Sequence, residues 1–170
     1  MITILPTMNK AYLLTGSNLG DRFAYLRQAI QLIQQLCGTA VQVSSFYQTA
    51  AWGLTDQPDF YNQAIELNTE LSPENLMQSL LEIEKQIGRE RNVKMGPRII
   101  DIDILLINDQ VINTPLLTVP HPFLAERRFA LAPLAEIAPD VVHPVLHKTI
   151  AQLLHDLADT LSVNKIYTDK

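Results

Sequence analysis

Two carboxylates stand close together in the apolar run GPRIIDIDILL, which covers residues 96–106. If residues 99–107 form a strand, Asp101 and Asp103 lie on one face of it, because side chains alternate along a strand. Residues i and i+2 of a strand are about 6.5–7 Å apart, so both carboxylates can bind one or two Mg²⁺ ions, which prefer oxygen ligands. A bare Asp-x-Asp pair is more often part of a solvated strand face, and the neighbouring residues decide between the two interpretations.

A basic segment, GRERNVKMGPR, comes directly before these aspartates and covers residues 88–98. Four of its eleven residues are basic: Arg89, Arg91, Lys94 and Arg98. Its glycines and proline indicate a loop, and a mobile loop can close over a ligand. A loop that only aids solubility is the alternative. Arginine binds phosphate through planar, paired contacts, so the loop and the carboxylates together predict a polyphosphate site.

A third segment, TVPHPFLAERRF, adds His121 between two prolines, followed by Arg127 and Arg128. A lone histidine is more often structural than functional, but the rigid backbone around His121 makes the two roles equally plausible here. The two arginines favour either a second phosphate clamp or a polar helix face.

Phe60 and Asn62 share one face of a predicted strand, opposite the apolar face that carries Ile65 and Leu67. Core packing is the commoner role of an aromatic residue. A flat ring beside an amide can also bind a planar heterocycle by stacking and edge hydrogen bonds.

The elements that must position these residues follow the order strand, helix, strand, strand, helix, strand as far as Ile107. This order predicts an α+β, ferredoxin-like βαββαβ sandwich, with helices on one face of a mainly antiparallel sheet. Residues 41–49 are expected to form one strand. The even-numbered residues 100–106 should pack on the helices, and the two aspartates should face the other, partly open side of the sheet. A C-terminal helical extension is predicted at residues 124–138, interrupted at Pro133, and at 149–159.

The length of 170 residues predicts a single domain over residues 1–170. A net charge of −5 and a pI near 5.3 argue against a general nucleic-acid binder. No apolar run suggests a membrane span or a signal peptide, and the single Cys37 cannot form an internal disulfide. We therefore expect a cytoplasmic protein that acts as a monomer, without nucleic-acid or membrane partners.

Four segments in order resemble the 6-hydroxymethyl-7,8-dihydropterin pyrophosphokinase family of folate biosynthesis. They are GSNLGDR, SSFYQTAAWGLTDQPDFYNQAIEL, IEKQIGRERNVKMGPRIIDIDILL and TVPHPFLAERRFALAPLAEIAP, and they span residues 16–139. The resemblance implies transfer of pyrophosphate from ATP to the pterin's hydroxymethyl group, with AMP and a pterin diphosphate as products. It also implies a ferredoxin-like fold, in agreement with the element order.

The resemblance implies a role for each matching residue. Asp101 and Asp103 match the ligands of two Mg²⁺ ions. The matches to residues that contact ATP or its phosphates are Arg89, Arg91, Arg98, Thr118, His121 and Arg127, with the first two on a loop that closes during catalysis. The matches to the pterin pocket are Thr49, Gly53, Phe60, Asn62 and Phe129.

The chain departs from the family pattern at three positions. Ala51 stands where proline is usual, Met95 where several members carry an aromatic ring over the pterin, and Leu116 where some carry a phosphate-binding arginine. A Mg²⁺-dependent phosphotransferase for another heterocyclic alcohol is the nearest alternative function. A non-catalytic metal-binding module is a further one, but such a module has no use for three arginines beside its carboxylates.

Overall fold

The computed structural model describes residues 2–51, 53, 56–90 and 95–168. Its elements are β1 (Asn9–Ser17), α1 (Arg22–Leu36), β2 (Thr39–Val43), β3 (Phe46–Thr49), β4 (Phe60–Thr69), α2 (Pro73–Ile87), β5 (Asp101–Ile107), β6 (Ile112–Asn113), β7 (Thr118–Val119), a 3-10 helix (Leu124–Glu126), α3 (Arg128–Ile137), α4 (Ile150–Asp156) and β8 (Val163–Ile166). Among these described elements, no helix is long and apolar enough to cross a membrane.

The main sheet has the order β5-β1-β4-β3-β8, and every strand pair in it is antiparallel. The strand β2 pairs with β4 beside β3, so β2 and β3 follow the same edge of β4. Together with α1 and α2 this is the βαββαβ order, and the predicted fold class is confirmed.

The expected single strand over residues 41–49 is divided at Ser44. The Ser44 side chain accepts a hydrogen bond from the Ala64 backbone N–H at 2.9 Å, while the Ser44 N–H donates to the Ala64 carbonyl at 2.9 Å. The Ser44 hydroxyl thus takes the place of a backbone carbonyl as acceptor of one hydrogen bond between the strands. The register of pairing with β4 changes at this point, between β2 and β3.

Local capping signals set the ends of α2. The Ser72 side chain accepts from the Asn75 N–H, Pro73 opens the helix, and Gly88 ends it with a left-handed φ of 116°. The helices α1 and α2 cover one face of the sheet. The core on that face includes Leu13, Leu26, Ile33, Ile65, Leu67, Leu80, Ile83, Ile100, Ile102 and Ile104.

The other face of the sheet is more fully covered than the sequence suggests. A second core lies under α3 and α4 and includes Tyr12, Leu14, Ala64, Leu105, Leu106, Leu131, Leu134 and Ile150. The helix α3 runs through Pro133, and the chain is instead interrupted at Arg127, which is extended. The last helix ends at Asp156, and the sequence prediction missed β8, which follows it.

The alternation of β5 reverses near its end because the pairing contains a bulge. Tyr12 pairs with Leu106 and Leu13 pairs with Ile104, which leaves Leu105 as an extra residue. As a result Leu106 packs in the second core and Ile107 in the first, the opposite of the prediction. Upstream of the bulge the predicted faces are correct.

Candidate active site

A cavity opens where β1, β3, β4 and β5 meet beside the start of α3. Its lining residues are Leu14, Gly16, Thr49, Ala50, Phe60, Asn62, Met95, Arg98, Asp101, Asp103, Arg127 and Phe129. The structure therefore brings together most of the residues that the sequence singled out, although they come from segments far apart in the chain.

Strand register explains the convergence. Gly16 of β1 pairs with Asn62 of β4 on one side and with Asp101 of β5 on the other. A Cβ atom at Gly16 would lie 2.6 Å from the Asn62 Oδ1 atom. Glycine at this position therefore leaves the space that the Asn62 amide occupies.

One end of the cavity combines a buried amide, a hydroxyl and aromatic rings. Asn62 donates from Nδ2 to Thr49 Oγ1 at 2.7 Å, and both residues are buried. Phe60 and Phe129 line the same cavity, as do the main-chain neighbours Thr49 and Ala50. This end offers flat apolar surfaces and fixed polar edges to a planar ligand.

The other end of the cavity is built from paired charges. Asp101 accepts from Arg98 Nε at 3.2 Å on Oδ2 and from an Arg89 guanidinium nitrogen at 2.7 Å on Oδ1. Arg89 also forms an ion pair with Glu84, which is buried in α2. Arg98 lies over the Phe60 ring, with its Cζ atom 4.8 Å from the ring centroid, and so joins the charged end to the aromatic end.

Asp103 lies in surroundings that disfavour its charge. Burial, followed by the nearby charge of Asp101, raises the Asp103 pKa well above its usual range, although Arg127 acts in the opposite direction. A carboxylate in this position gains from a nearby cation, because a cation stabilises its ionised form.

Asn18 connects three segments around the cavity mouth. Its side-chain amide donates to Gln57 Oε1 at 2.9 Å and to the Pro58 carbonyl at 3.0 Å, and its Oδ1 accepts from the Arg98 N–H at 2.9 Å. Gln57 in turn donates to the Met95 carbonyl at 2.9 Å. The sequence points to GSNLGDR only as one of the segments of the family resemblance and predicts no role for Asn18, which is buried.

Glu84 was also missed, although the sequence contains a signal for it. It stands four residues after Leu80 and next to Ile83, on the apolar side of an amphipathic helix. A charged residue on that side needs a partner, and Arg89 supplies it.

Two further predicted site residues, Gly53 and Thr118, are not among the described residues that line the cavity. Gly53 has a left-handed φ of 86°. A Cβ atom there would lie 3.0 Å from the Met95 Sδ atom, so Met95 packs against Gly53. Thr118 is exposed in β7 and is not among the residues that line the cavity. Arg91 lies outside the described residues.

His121 is held by its own backbone and by its neighbours. Its N–H donates to the Leu105 carbonyl at 2.9 Å, and its Nδ1 accepts from the Phe123 N–H at 3.2 Å. Burial and the charge of Arg127 lower the His121 pKa to about 4, so the ring is neutral at pH 7.

Comparison with known proteins places the chain in a family. Residues 12–139 match the family model described as 7,8-dihydro-6-hydroxymethylpterin-pyrophosphokinase (HPPK). The chain is 43% identical to the 2-amino-4-hydroxy-6-hydroxymethyldihydropteridine pyrophosphokinase of Aquifex aeolicus over 85% of this chain and 90% of the relative. It is 49% identical to the enzyme of the same name from Bacillus subtilis, over 78% of this chain and 80% of the relative.

Among solved structures, Plasmodium falciparum HPPK-DHPS is similar in fold, with a TM-score of 0.72 at 18% identity. The match covers 88% of this chain but only 43% of that longer chain. The family match over most of the chain and the identity to near full-length relatives agree with each other. This chain belongs to the 7,8-dihydro-6-hydroxymethylpterin-pyrophosphokinase family.

Proposed function

We propose that the cavity between Thr49 and Asp103 is where this chain carries out the family's reaction. In that reaction the pyrophosphoryl group of ATP is transferred to the hydroxymethyl group of 6-hydroxymethyl-7,8-dihydropterin, giving AMP and a pterin diphosphate for folate biosynthesis. Family membership supports the activity. The observation that carries the assignment to this site is that one cavity joins a planar-ligand end to an end of paired aspartates and arginines.

The pterin belongs at the end formed by Thr49, Phe60, Asn62 and Phe129. The rings provide stacking surfaces, and Asn62, already oriented by Thr49, presents an amide to the heterocycle's polar edge. The packing of Met95 against Gly53 supports a role for these two residues in covering the pterin.

The charged end fits Mg²⁺ by the chemistry of its donors. Asp101 and Asp103 line the cavity together, and carboxylate oxygens are hard ligands. The described residues contain no group of three or more His, Cys, Asp or Glu that could hold a metal. A pair of carboxylates suits Mg²⁺ because this ion commonly takes its remaining ligands from water and substrate phosphates. We propose that the two aspartates hold two ions, whose role when bound is to neutralise charge on the triphosphate.

The arginines are placed to meet the triphosphate. Arg98 and Arg127 line the cavity, and Arg89 already reaches Asp101 from beside α2. We propose that all three contact the phosphates of ATP, together with Arg91, while His121 and Thr118 lie towards the nucleotide. The reaction requires mainly that the pterin alcohol be aligned with the β phosphorus and that charge on the phosphates be stabilised. Hydrogen-bond donors held in fixed positions provide that stabilisation.

The organisation of the chain supports a self-contained catalytic unit. The main sheet contains strands from near both ends of the sequence, since β8 pairs with β3 and β1 lies between β5 and β4. We propose a single domain over residues 1–170 that acts as a monomer in the cytoplasm.

The decisive experiment incubates the protein with ATP, Mg²⁺ and the pterin alcohol and identifies the nucleotide product. We expect AMP in a one-to-one ratio with pterin consumed, no transient ADP, and no reaction after EDTA. An Asp101→Asn variant serves as the control for contaminating activity. ADP as the primary product would refute pyrophosphoryl transfer and favour an ordinary phosphotransferase at the same site.

A further inference from the structure

The C-terminal segment, residues 157–166, contacts one wall of the cavity through β3. Within this segment β8 pairs with β3 so that Val163 lies opposite Thr49. The Ala50 N–H donates to the Ser162 carbonyl at 3.1 Å. Thr49 and Ala50 both line the cavity, so the segment supports the wall that carries the Thr49–Asn62 hydrogen bond.

The same segment also contacts a second wall of the cavity, at the start of α3, where Arg127 and Phe129 line it. The N-cap residue of α3, Arg127, makes no side-chain capping hydrogen bond to the helix. Asp159 supplies the missing acceptor, because its Oδ2 takes the Arg128 N–H at 3.2 Å. Its other oxygen accepts from the Leu161 N–H at 2.9 Å. One carboxylate thus joins the helix start to the segment.

The Arg128 side chain strengthens this connection. It donates from Nε to the Asp159 carbonyl at 3.2 Å and from NH2 to the Leu157 carbonyl at 3.3 Å. Arg128 does not line the cavity, but its two sequence neighbours, Arg127 and Phe129, do. Fixing Arg128 therefore fixes the backbone from which Phe129 reaches the cavity.

We propose that Asp159 and Arg128 are positioning residues that set the separation between the Phe129 wall and the Thr49 wall of the pterin end. The inference rests on the proposed function of this cavity, and one of its two residues, Asp159, lies beyond the 12–139 range of the family match. A planar ligand between two walls is sensitive to their spacing, and a misplacement of about 1 Å can cost on the order of 10²-fold in rate. Asp101 and its partners Arg89 and Arg98 lie on β5, at the end of α2 and just before β5, so this part of the charged end is built outside the segment.

The test compares Asp159→Ala and Arg128→Ala with a matched control, Asp156→Ala. Asp156 also lies in the C-terminal part of the chain, but its partner is the exposed Lys148, at 3.0 Å. We expect each test variant to bind the pterin about three- to tenfold more weakly, as loss of a helix cap suggests. ATP affinity measured without pterin should stay within about twofold, and Asp156→Ala should change neither affinity. Asp159→Asn retains one acceptor oxygen and should restore part of the loss.

Amide hydrogen exchange provides a readout that needs no ligand. In Asp159→Ala, peptides covering residues 46–50 and 128–132 should exchange faster, while peptides from β5 should not. Unchanged pterin affinity in both test variants would overturn the proposal. Equal losses of pterin and ATP affinity, accompanied by a lower Tm, would also overturn it, because they would indicate a general loss of stability. Failure of the unmodified chain to make AMP would refute the proposed function instead, and the exchange pattern would then decide whether the segment orders the two walls.

Discussion

Replacing Gly16 by alanine should damage the pterin end of the cavity without disturbing the charged end. The new methyl group would lie 2.6 Å from the Asn62 Oδ1 atom, which is 0.8 Å short of the 3.4 Å at which ordinary van der Waals contact begins. The φ of Gly16 is outside the left-handed region, so alanine suits the backbone. The conflict is therefore confined to the side chain of Asn62.

The size of the effect follows from that displacement. A shift of 0.8 Å in Asn62 is close to the displacement of about 1 Å that can lower catalysis on the order of 10²-fold. We expect kcat/KM for the pterin to fall by about 10- to 100-fold, with KM for ATP changed little. Overpacking should also cost about 1–3 kcal/mol of stability, offset in part by the lower chain entropy of alanine in the unfolded state.

A double-mutant cycle with Asn62→Ala tests the reasoning. If Gly16→Ala acts only through the Asn62 amide, it should have little further effect once that amide is absent. Steady-state kinetics with both substrates, together with Tm for each variant, give the required values. Normal kinetics for Gly16→Ala would refute the packing argument, and full additivity with Asn62→Ala would show that the damage passes through another residue.

Three further predictions concern the charged end, the aromatic end and pH. Asp103→Asn should lower turnover about 10²–10³-fold, yet Tm should hold or rise, because burial already disfavours the charged carboxylate. Phe129→Ala should weaken pterin binding by about 1–3 kcal/mol in calorimetry, by analogy with bases stacked on aromatic rings, and leave ATP binding unchanged. Stability should fall as the pH drops from 6.5 towards 4, since the unfolded chain takes up a proton that the partly buried His121 of the folded chain does not. Urea titrations over this pH range should show a loss of at most about 3 kcal/mol in the free energy of unfolding, and a smaller loss in His121→Gln. The same pH dependence in His121→Gln as in the unmodified chain would refute this role of His121.

The cavity was predictable because its residues are marked by local patterns. Asp101 and Asp103 share a strand face, and so do Phe60 and Asn62, and both pairs stand out against apolar neighbours. Once α1 and α2 cover one face of the sheet, both pairs must lie on the other. The ferredoxin-like order then places β4 and β5 on either side of β1, which brings the two pairs together.

Features that depend on a partner strand were not predictable in the same way. The division at Ser44 requires Ala64, and the reversal at Leu106 requires the bulge opposite Tyr12 and Leu13. No pattern within residues 41–49 or 99–107 marks these events, because the cause lies in another strand. Periodicity therefore predicted which faces meet but not where the pairing changes.

The position of Arg89 shows a similar limit for charges. The sequence places it at the start of a basic loop, and it is expected to reach phosphate from there. In the structure it binds Asp101 and the buried Glu84, so its guanidinium is already held beside the carboxylates. The spacing of basic and acidic residues along the chain indicated that they bind phosphate and metal. The ion pairs of Arg89 with Asp101 and Glu84 depend instead on where α2 ends relative to β5.

The strand β8 was missed for a physical reason that also bears on function. Its four residues are too few and too exposed to show an alternating pattern, and two of them are polar. It forms because β3 offers a free edge and because Asp159 and Arg128 bring the chain back to that edge. An element created by tertiary contacts in this way can change the shape of a cavity that local motifs define. The residues that determine how tightly the pterin is held therefore need not lie within the motifs that identify the site.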